Sequence, residues 1–321
     1  MAGRVSDQIE DARATFVGRI RRVAPMRRRA VFHGALVGGS LGFLYLLSRG
    51  TDPFAWDACA YWMVDLNSPY DNTWLLTTET CGFFNYSPAA ALAIAPFGSL
   101  PWPVFAAAWT GLLLLTLVWL GGRAAIFMLA FPPIAADIWT GNINLLLGAA
   151  IVLGFRHPAA WAFVLLTKIT PGIGLVWFLV RREWRALFIA LGATVLIVAG
   201  TWLILPEQWG TWLTQLRSNA GTVPELVPLW LRVGIAGCVI AWGATKNAPW
   251  TVPVGAVIAM PVLYMISFAV LAACWPLRRG LPAVTQGALA APAVAASRAG
   301  GDAISAPASG GAPARTQDVA R

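Results

Sequence analysis

The chain has 321 residues, of which 58% belong to the hydrophobic set AVILMFWYC and 12% are charged, with a mean hydropathy of +0.66. A soluble globular chain carries about 25% charge, so this balance excludes an ordinary soluble enzyme, and four Cys in this length exclude a disulfide scaffold. The net charge of +9 does not point to nucleic acid: every basic residue except Lys168 and Lys246 is Arg, and the basic residues cluster between apolar runs, as the positive-inside rule expects.

Residues 1–29 hold eight Arg against three acids and read as a basic cytoplasmic arm. A first span follows at Ala30–Ser48 and leaves the cytoplasm. Residues 49–87 form an outer loop with five acids against Arg49 alone. Its Trp56, Trp62, Trp74, Phe83 and Phe84 favour the membrane interface, which predicts short helices lying on the bilayer.

The stretch Pro88–Gly122 is split by Pro96, Pro101 and Pro103 into a surface piece and a span near Trp102–Leu120, with a cytoplasmic turn at Arg123. Ala124–Ile138 runs outward, and Gly141–Phe155 returns to Arg156 and His157. Pro158–Thr167 and Ile173–Val180 flank the break Lys168-Ile169-Thr170-Pro171-Gly172. Neither piece crosses a hydrocarbon core of about 30 Å at about 1.5 Å per residue. Both flanks are basic, so the pair reads as a re-entrant hairpin with Lys168 near its tip. Ala186–Leu205 runs outward, Pro206–Pro228 is a second outer segment, and Leu229–Thr245 returns to Lys246. Thr251–Met260 is stopped by Pro261, and Val262–Trp275 ends at Arg278 and Arg279.

The fold class is therefore an all-α polytopic membrane protein of about 8–10 transmembrane helices with a short re-entrant pair. The membrane domain covers residues 30–279. The Ala-, Pro- and Gly-rich tail, 280–321, reads as disordered, with both termini cytoplasmic.

Chemistry-bearing residues are few. Asp57 follows the first span in an aromatic, interfacial setting, where a partly dry carboxylate is a stronger base than one in water; the plainer reading is a helix cap. Lys168 interrupts an apolar stretch. An intramembrane ammonium suits a phosphate, and its plain reading is a snorkelling anchor. Arg232, near the outer start of a span, is a second candidate anion binder, with the same alternative. Asn142 and Asn144 open a helix in Gly141-Asn142-Ile143-Asn144; Asn142 suits a cap and Asn144 a cavity wall. Cys59 and Cys81 share the outer loop, either as a disulfide or as two buried thiols. With two His in the chain and no metal-ligand spacing, no metal or cofactor is expected.

These motifs in order resemble the GT-C glycosyltransferases and, more narrowly, glycosyltransferase family 87 (DUF2029). The resemblance rests on Asp57 followed by Tyr61, the Pro69-Tyr70 pair, Tyr86-Ser87-Pro88 entering the bilayer, Gly141-Asn142-Ile143-Asn144 where the family has a Gly-Gln-x-Asn-like start, and Lys168-Ile169-Thr170-Pro171 before a basic turn. It implies a GT-C-like bundle. It also implies inverting transfer of a mannose- or arabinose-like sugar from a polyprenyl-phosphate donor to a glycolipid or glycan acceptor, on the outer face of the cell membrane. Asp57 is then the base, Lys168 and Arg232 bind the donor phosphate, and Tyr61, Tyr70, Tyr86, Asn142 and Asn144 bind substrate. Membrane lipid is a partner and nucleic acid is not. Broken helices also fit a transporter or flippase, and an inactive GT-C-like protein is a further alternative.

Overall fold

The computed structural model describes residues 54–71, 81–219 and 227–279. The basic arm 1–29, the expected first span Ala30–Ser48, Trp74 of the outer loop and the tail 280–321 lie outside the described residues. Twelve helices and no strand are present among the described residues. In chain order they are α1 (Trp56–Trp62), α2 (Pro88–Ser99), α3 (Trp102–Leu129), α4 (Pro132–Thr140), α5 (Asn144–Gly154), α6 (Pro158–Thr167), α7 (Thr170–Val180), α8 (Trp184–Ile204), α9 (Pro206–Asn219), α10 (Leu229–Thr245), α11 (Thr251–Ile258) and α12 (Met265–Arg278).

Proline places many of the starts. Pro88, Pro132 and Pro206 open α2, α4 and α9, where a missing N–H costs nothing and the fixed φ suits a first turn. Two helices are long and apolar enough to cross a membrane, α3 with 28 residues and α8 with 21. The pair α4 and α5 adds a third if its 109° bend is counted within one broken span. The all-α, membrane-spanning class holds, but the described residues supply fewer complete spans than the 8–10 expected for the chain. Pro, Gly and Asn breaks cut the remaining apolar stretches into short helices, and 10–17 residues reach only about 15–26 Å. A break stands where the turn at Arg123 is expected: the α-helical part of α3 ends at Gly121, Gly122 takes φ +53° and ψ −128°, and a short 3₁₀ segment leads into Ala125–Leu129. The run expected over Ala124–Ile138 is cut again by Pro132 and Pro133, which open α4.

Helix α8 shows what faces lipid. Only Ala190 and Thr201 are buried, while Leu203 is 85% and Leu196 74% exposed. A helix apolar on all sides with so little protein contact is stable only against hydrocarbon. The interior instead gathers around small residues. α12 packs along α4 and α5 with Ala269, Ala272 and Ala273 buried, and a Cβ on Gly148 would lie 3.2 Å from the Val270 carbonyl oxygen. Close backbone approach of this kind is how membrane helices gain contact without a hydrophobic driving force.

The basic residues collect with aromatics at the ends of several helices. Arg181 lies 5.4 Å from the Trp177 ring, Arg278 4.6 Å from Trp250 and Arg279 4.1 Å from Trp275. Arg181 also donates to the Ala244 carbonyl at 3.3 Å and to Asn247 Oδ1 at 3.2 Å, which brings the ends of α7 and α10 together. Phe155 meets Trp177 at 5.4 Å, so the basic end of α5, with Arg156 and His157, joins them. From there α5 rises 11 residues back to Asn144, about 16 Å or half of a bilayer core.

Candidate active site around Asp57 and Lys168

The start of α1 is held by the turn between α4 and α5. Ala55 adopts a left-handed conformation, φ 60°, and its N–H donates to the Trp139 carbonyl at 2.8 Å. α4 ends at Gly141, with φ +74°, and the Asn142 N–H reaches back to the Asp137 carbonyl at 2.9 Å. Only glycine suits position 141, because a Cβ there would stand 2.6 Å from Ala58 Cβ, besides the cost of its positive φ. Gly82 closes the other side: its N–H donates to the Trp56 carbonyl at 2.8 Å, and an added Cβ would meet Asp57 Oδ1 at 3.0 Å.

Asp57 is thus gripped between two chain segments. Asn142 Nδ2 donates to Asp57 Oδ2 at 2.9 Å, while Asn142 Oδ1 accepts the Ile143 N–H at 2.8 Å. Asn142 does not cap α5, whose N-cap position is Ile143 and whose first-turn Leu145 N–H goes to Asp137; its side chain binds the Asp57 carboxylate instead.

Two residues further on, Asn144 is wholly buried. Its Nδ2 donates to Asp137 Oδ1 at 2.9 Å and to the Ile266 carbonyl at 3.2 Å, and its Oδ1 accepts from Lys168 Nζ at 2.6 Å. Asp137 Oδ2 accepts the Leu145 N–H at 3.0 Å. Lys168 stands at the break between α6 and α7, with extended backbone at φ −137° and ψ 104°. The Ser87 N–H donates to the Leu166 carbonyl at 3.3 Å, so the chain entering α2 runs beside this break. One turn, residues 137–145, therefore carries both the contact to the acid and the contact to the ammonium.

Asp137 has no role in the sequence reading beyond preceding the Gly141 turn. The signal was present: a lone acid inside the apolar run Pro132–Thr140 is as costly as Lys168 and calls for the same question.

The tyrosines form a layer behind Asp57. The Tyr61 and Tyr86 hydroxyls share a hydrogen bond at 3.0 Å, and the Tyr70 hydroxyl donates to the Tyr86 carbonyl at 3.0 Å. Tyr61 packs against Trp109, with ring centroids 5.1 Å apart, and Trp109 Nε1 donates to the Gly141 carbonyl at 2.7 Å. Burial holds the Tyr61 and Tyr86 hydroxyls above the usual phenol range. Tyr61 and Tyr86 are buried, so their main contacts are to the frame of the site. Tyr70 is partly open. With Glu207, Thr211, Thr214, Gln215 and Ser218 of α9 it lines a groove of about 560 Å³. α9 is fixed over the segments between α1 and α2 by Trp212 Nε1 to the Asn85 carbonyl at 3.2 Å and by Gln208 Nε2 to the Asn67 carbonyl at 3.0 Å. Cys59 and Cys81 are joined as a disulfide with Cα atoms 5.1 Å apart, tying α1 to the segment that carries Gly82.

Arg232 is placed differently. It is buried on α10, with Nη1 donating to the Met260 carbonyl at 2.8 Å and Nη2 to the Pro261 carbonyl at 3.0 Å. Those carbonyls follow the end of α11, where a cation complements the helix dipole. Among the described residues, no group of three His, Cys, Asp or Glu side chains converges as a metal site would require.

The profile of glycosyltransferase family 87 matches residues 83–297, about two thirds of the chain, and the chain belongs to that family. No curated protein and no solved structure matches it.

Proposed function

We propose that this member of glycosyltransferase family 87 transfers a mannose- or arabinose-like sugar from a polyprenyl-phosphate donor to a glycolipid or glycan acceptor at the outer face of the cell membrane, with inversion. The observation that carries the reading is the single turn whose Asn142 holds Asp57 and whose Asn144 holds Lys168. A scaffold has no need to bring a half-buried ammonium and an interfacial carboxylate to one turn, and keeping charged groups at membrane depth is costly.

The chemistry assigns each group one task. The acceptor hydroxyl oxygen attacks the anomeric carbon from the face opposite the lipid phosphate. Asp57 takes the hydroxyl proton as the new carbon–oxygen bond forms, a contribution of about 10²–10⁴-fold for a positioned base. The bond between the anomeric carbon and the phosphate oxygen breaks, and its electron pair leaves with the polyprenyl phosphate. The Lys168 ammonium meets that growing negative charge. It is already in place, so no solvent has to reorganise during the step.

The orientation follows from charge. The Arg- and aromatic-rich ends of α5, α7, α10 and α12 are the cytoplasmic side by the positive-inside rule. Asn144 and Lys168 then sit about half a bilayer above it, and Asp57 faces the outer leaflet with α9 and the groove beside Tyr70. That groove, lined by hydroxyl, amide and carboxylate groups, suits the acceptor sugar. The test is mass analysis of envelope glycolipids from cells lacking the gene. The reading expects loss of one sugar-bearing species, restored by the wild-type chain and not by Asp57→Asn. An unchanged glycolipid profile removes it.

A further inference from the structure

Asp137 is fully buried in α4. Oδ1 accepts from Asn144 and Oδ2 from the Leu145 N–H, so its contacts run inward to the start of α5. The Asn144 amide nitrogen faces two acceptors, the Asp137 carboxylate and the Ile266 carbonyl, and its oxygen faces the Lys168 ammonium. Turning that amide over would set its NH₂ against the ammonium and its oxygen against two other oxygens. Donor and acceptor matching therefore allows one orientation only, and Asp137 selects it.

We propose that Asp137 is a positioning residue for the lipid-phosphate site, acting through Asn144 to hold the Lys168 ammonium at the break between α6 and α7. The inference rests on Lys168 as the donor-phosphate group. Lysine is a point charge on a flexible four-carbon stem, and alone it would spread over many rotamers or snorkel toward the nearest water. A hydrogen bond from a side chain that is itself locked removes that freedom, so the phosphate meets a cation in a fixed place. Asp137 touches neither substrate nor reacting atoms in this arrangement.

The test uses the full chain in lipid nanodiscs and farnesyl phosphate as the probe. Lys168→Ala should weaken binding of the probe. Asp137→Asn, which keeps the shape and removes the carboxylate, should weaken it roughly 5- to 20-fold when Lys168 is present and less than about 2-fold in the Lys168→Ala background, since residues acting as a unit are not additive. Asn144→Ala should repeat the pattern. It leaves the Asp137 bond to Leu145 intact, and it decides the matter alone if Asp137→Asn does not fold. Equal losses in both backgrounds would mean a purely structural role and would overturn the inference. Tighter binding by Asp137→Asn would also overturn it, because the carboxylate would then act by repelling the phosphate. Unchanged binding by Lys168→Ala would remove the phosphate reading, and the inference with it.

Discussion

Gly141→Ala tests the frame around Asp57 most sharply. The residue stands at φ +74°, and its added Cβ would lie 2.6 Å from Ala58 Cβ and 3.3 Å from the Ala58 backbone nitrogen. A side chain in the left-handed region costs roughly 1–2 kcal/mol. Forcing a methyl into a packed position adds about 1–3 kcal/mol. The sum, roughly 2–5 kcal/mol, is a large share of the 5–15 kcal/mol by which a domain is typically stable. Relief requires the two chain segments to part by about 1 Å to reach ordinary carbon–carbon contact. Ala58 is the neighbour of Asp57, so the displacement falls on the proposed base, and misplacement of about 1 Å can cost 10²-fold in rate. Purified Gly141→Ala should melt several degrees lower than wild type and lose most sugar transfer at equal protein. The comparison is Gly192→Ala in α8, where an added Cβ meets nothing within 4 Å. It should keep full activity and lose no stability, since Ala favours a helix over Gly. A Gly141→Ala chain with wild-type melting and turnover would refute the packing argument.

Other outcomes follow from the same contacts. Asn142→Ala should lower turnover roughly 10- to 100-fold with little change in donor KM, because it removes a bond to Asp57 and not to donor; steady-state kinetics with each substrate varied decide this. Reducing Cys59–Cys81, whose sequence separation is 22, should cost about 3 kcal/mol by the loop-entropy relation, read as a lower melting temperature with reductant. Tyr61→Phe leaves Tyr86 without its hydroxyl partner and should cost roughly 1 kcal/mol with transfer retained. Burial pushes the Tyr61 and Tyr86 hydroxyls above the usual phenol value of 10.0. Their stabilisation is therefore fully present below pH 10 and lost as pH rises above it, because the folded state keeps protons that the unfolded chain releases. Melting across pH 8 to 11 should show the fall beginning near 10 and weakened in Tyr61→Phe.

Much of this was legible in the sequence because breakers speak locally. Leu229–Thr245 begins and ends as expected, and the interruption at Lys168 was visible as two short apolar pieces around Lys-Ile-Thr-Pro-Gly. The break after the long helix from Trp102 was legible in Gly121-Gly122-Arg123, where Gly122 takes φ +53°, whereas the run Ala124–Ile138 misled because Pro132 and Pro133 open a new helix within it. Asp57 and Lys168 were identified by isolation in apolar or aromatic surroundings. The reversal at Gly141 was legible, but the meeting through Asn142, Asn144 and Asp137 was not, since it depends on where each side chain points after the 109° bend between α4 and α5. A bend of that size comes from tertiary packing of α12 and α1 as much as from Gly141 itself. The buried layer of Tyr61 and Tyr86 was likewise hidden, because a tyrosine in an outer loop reads the same in sequence whether its hydroxyl meets substrate or another tyrosine.

The proposed reaction depends on Asp57 as the base of a transfer from a lipid phosphate. The direct measurement is sugar transfer by the purified, reconstituted chain from a synthetic polyprenyl-phosphate sugar, comparing wild type with Asp57→Asn at equal protein and with farnesyl phosphate binding measured in parallel. Asp57→Asn should lose at least about 100-fold in turnover, as expected for a positioned base, with binding of the lipid phosphate retained. Turnover equal to wild type in Asp57→Asn would contradict it.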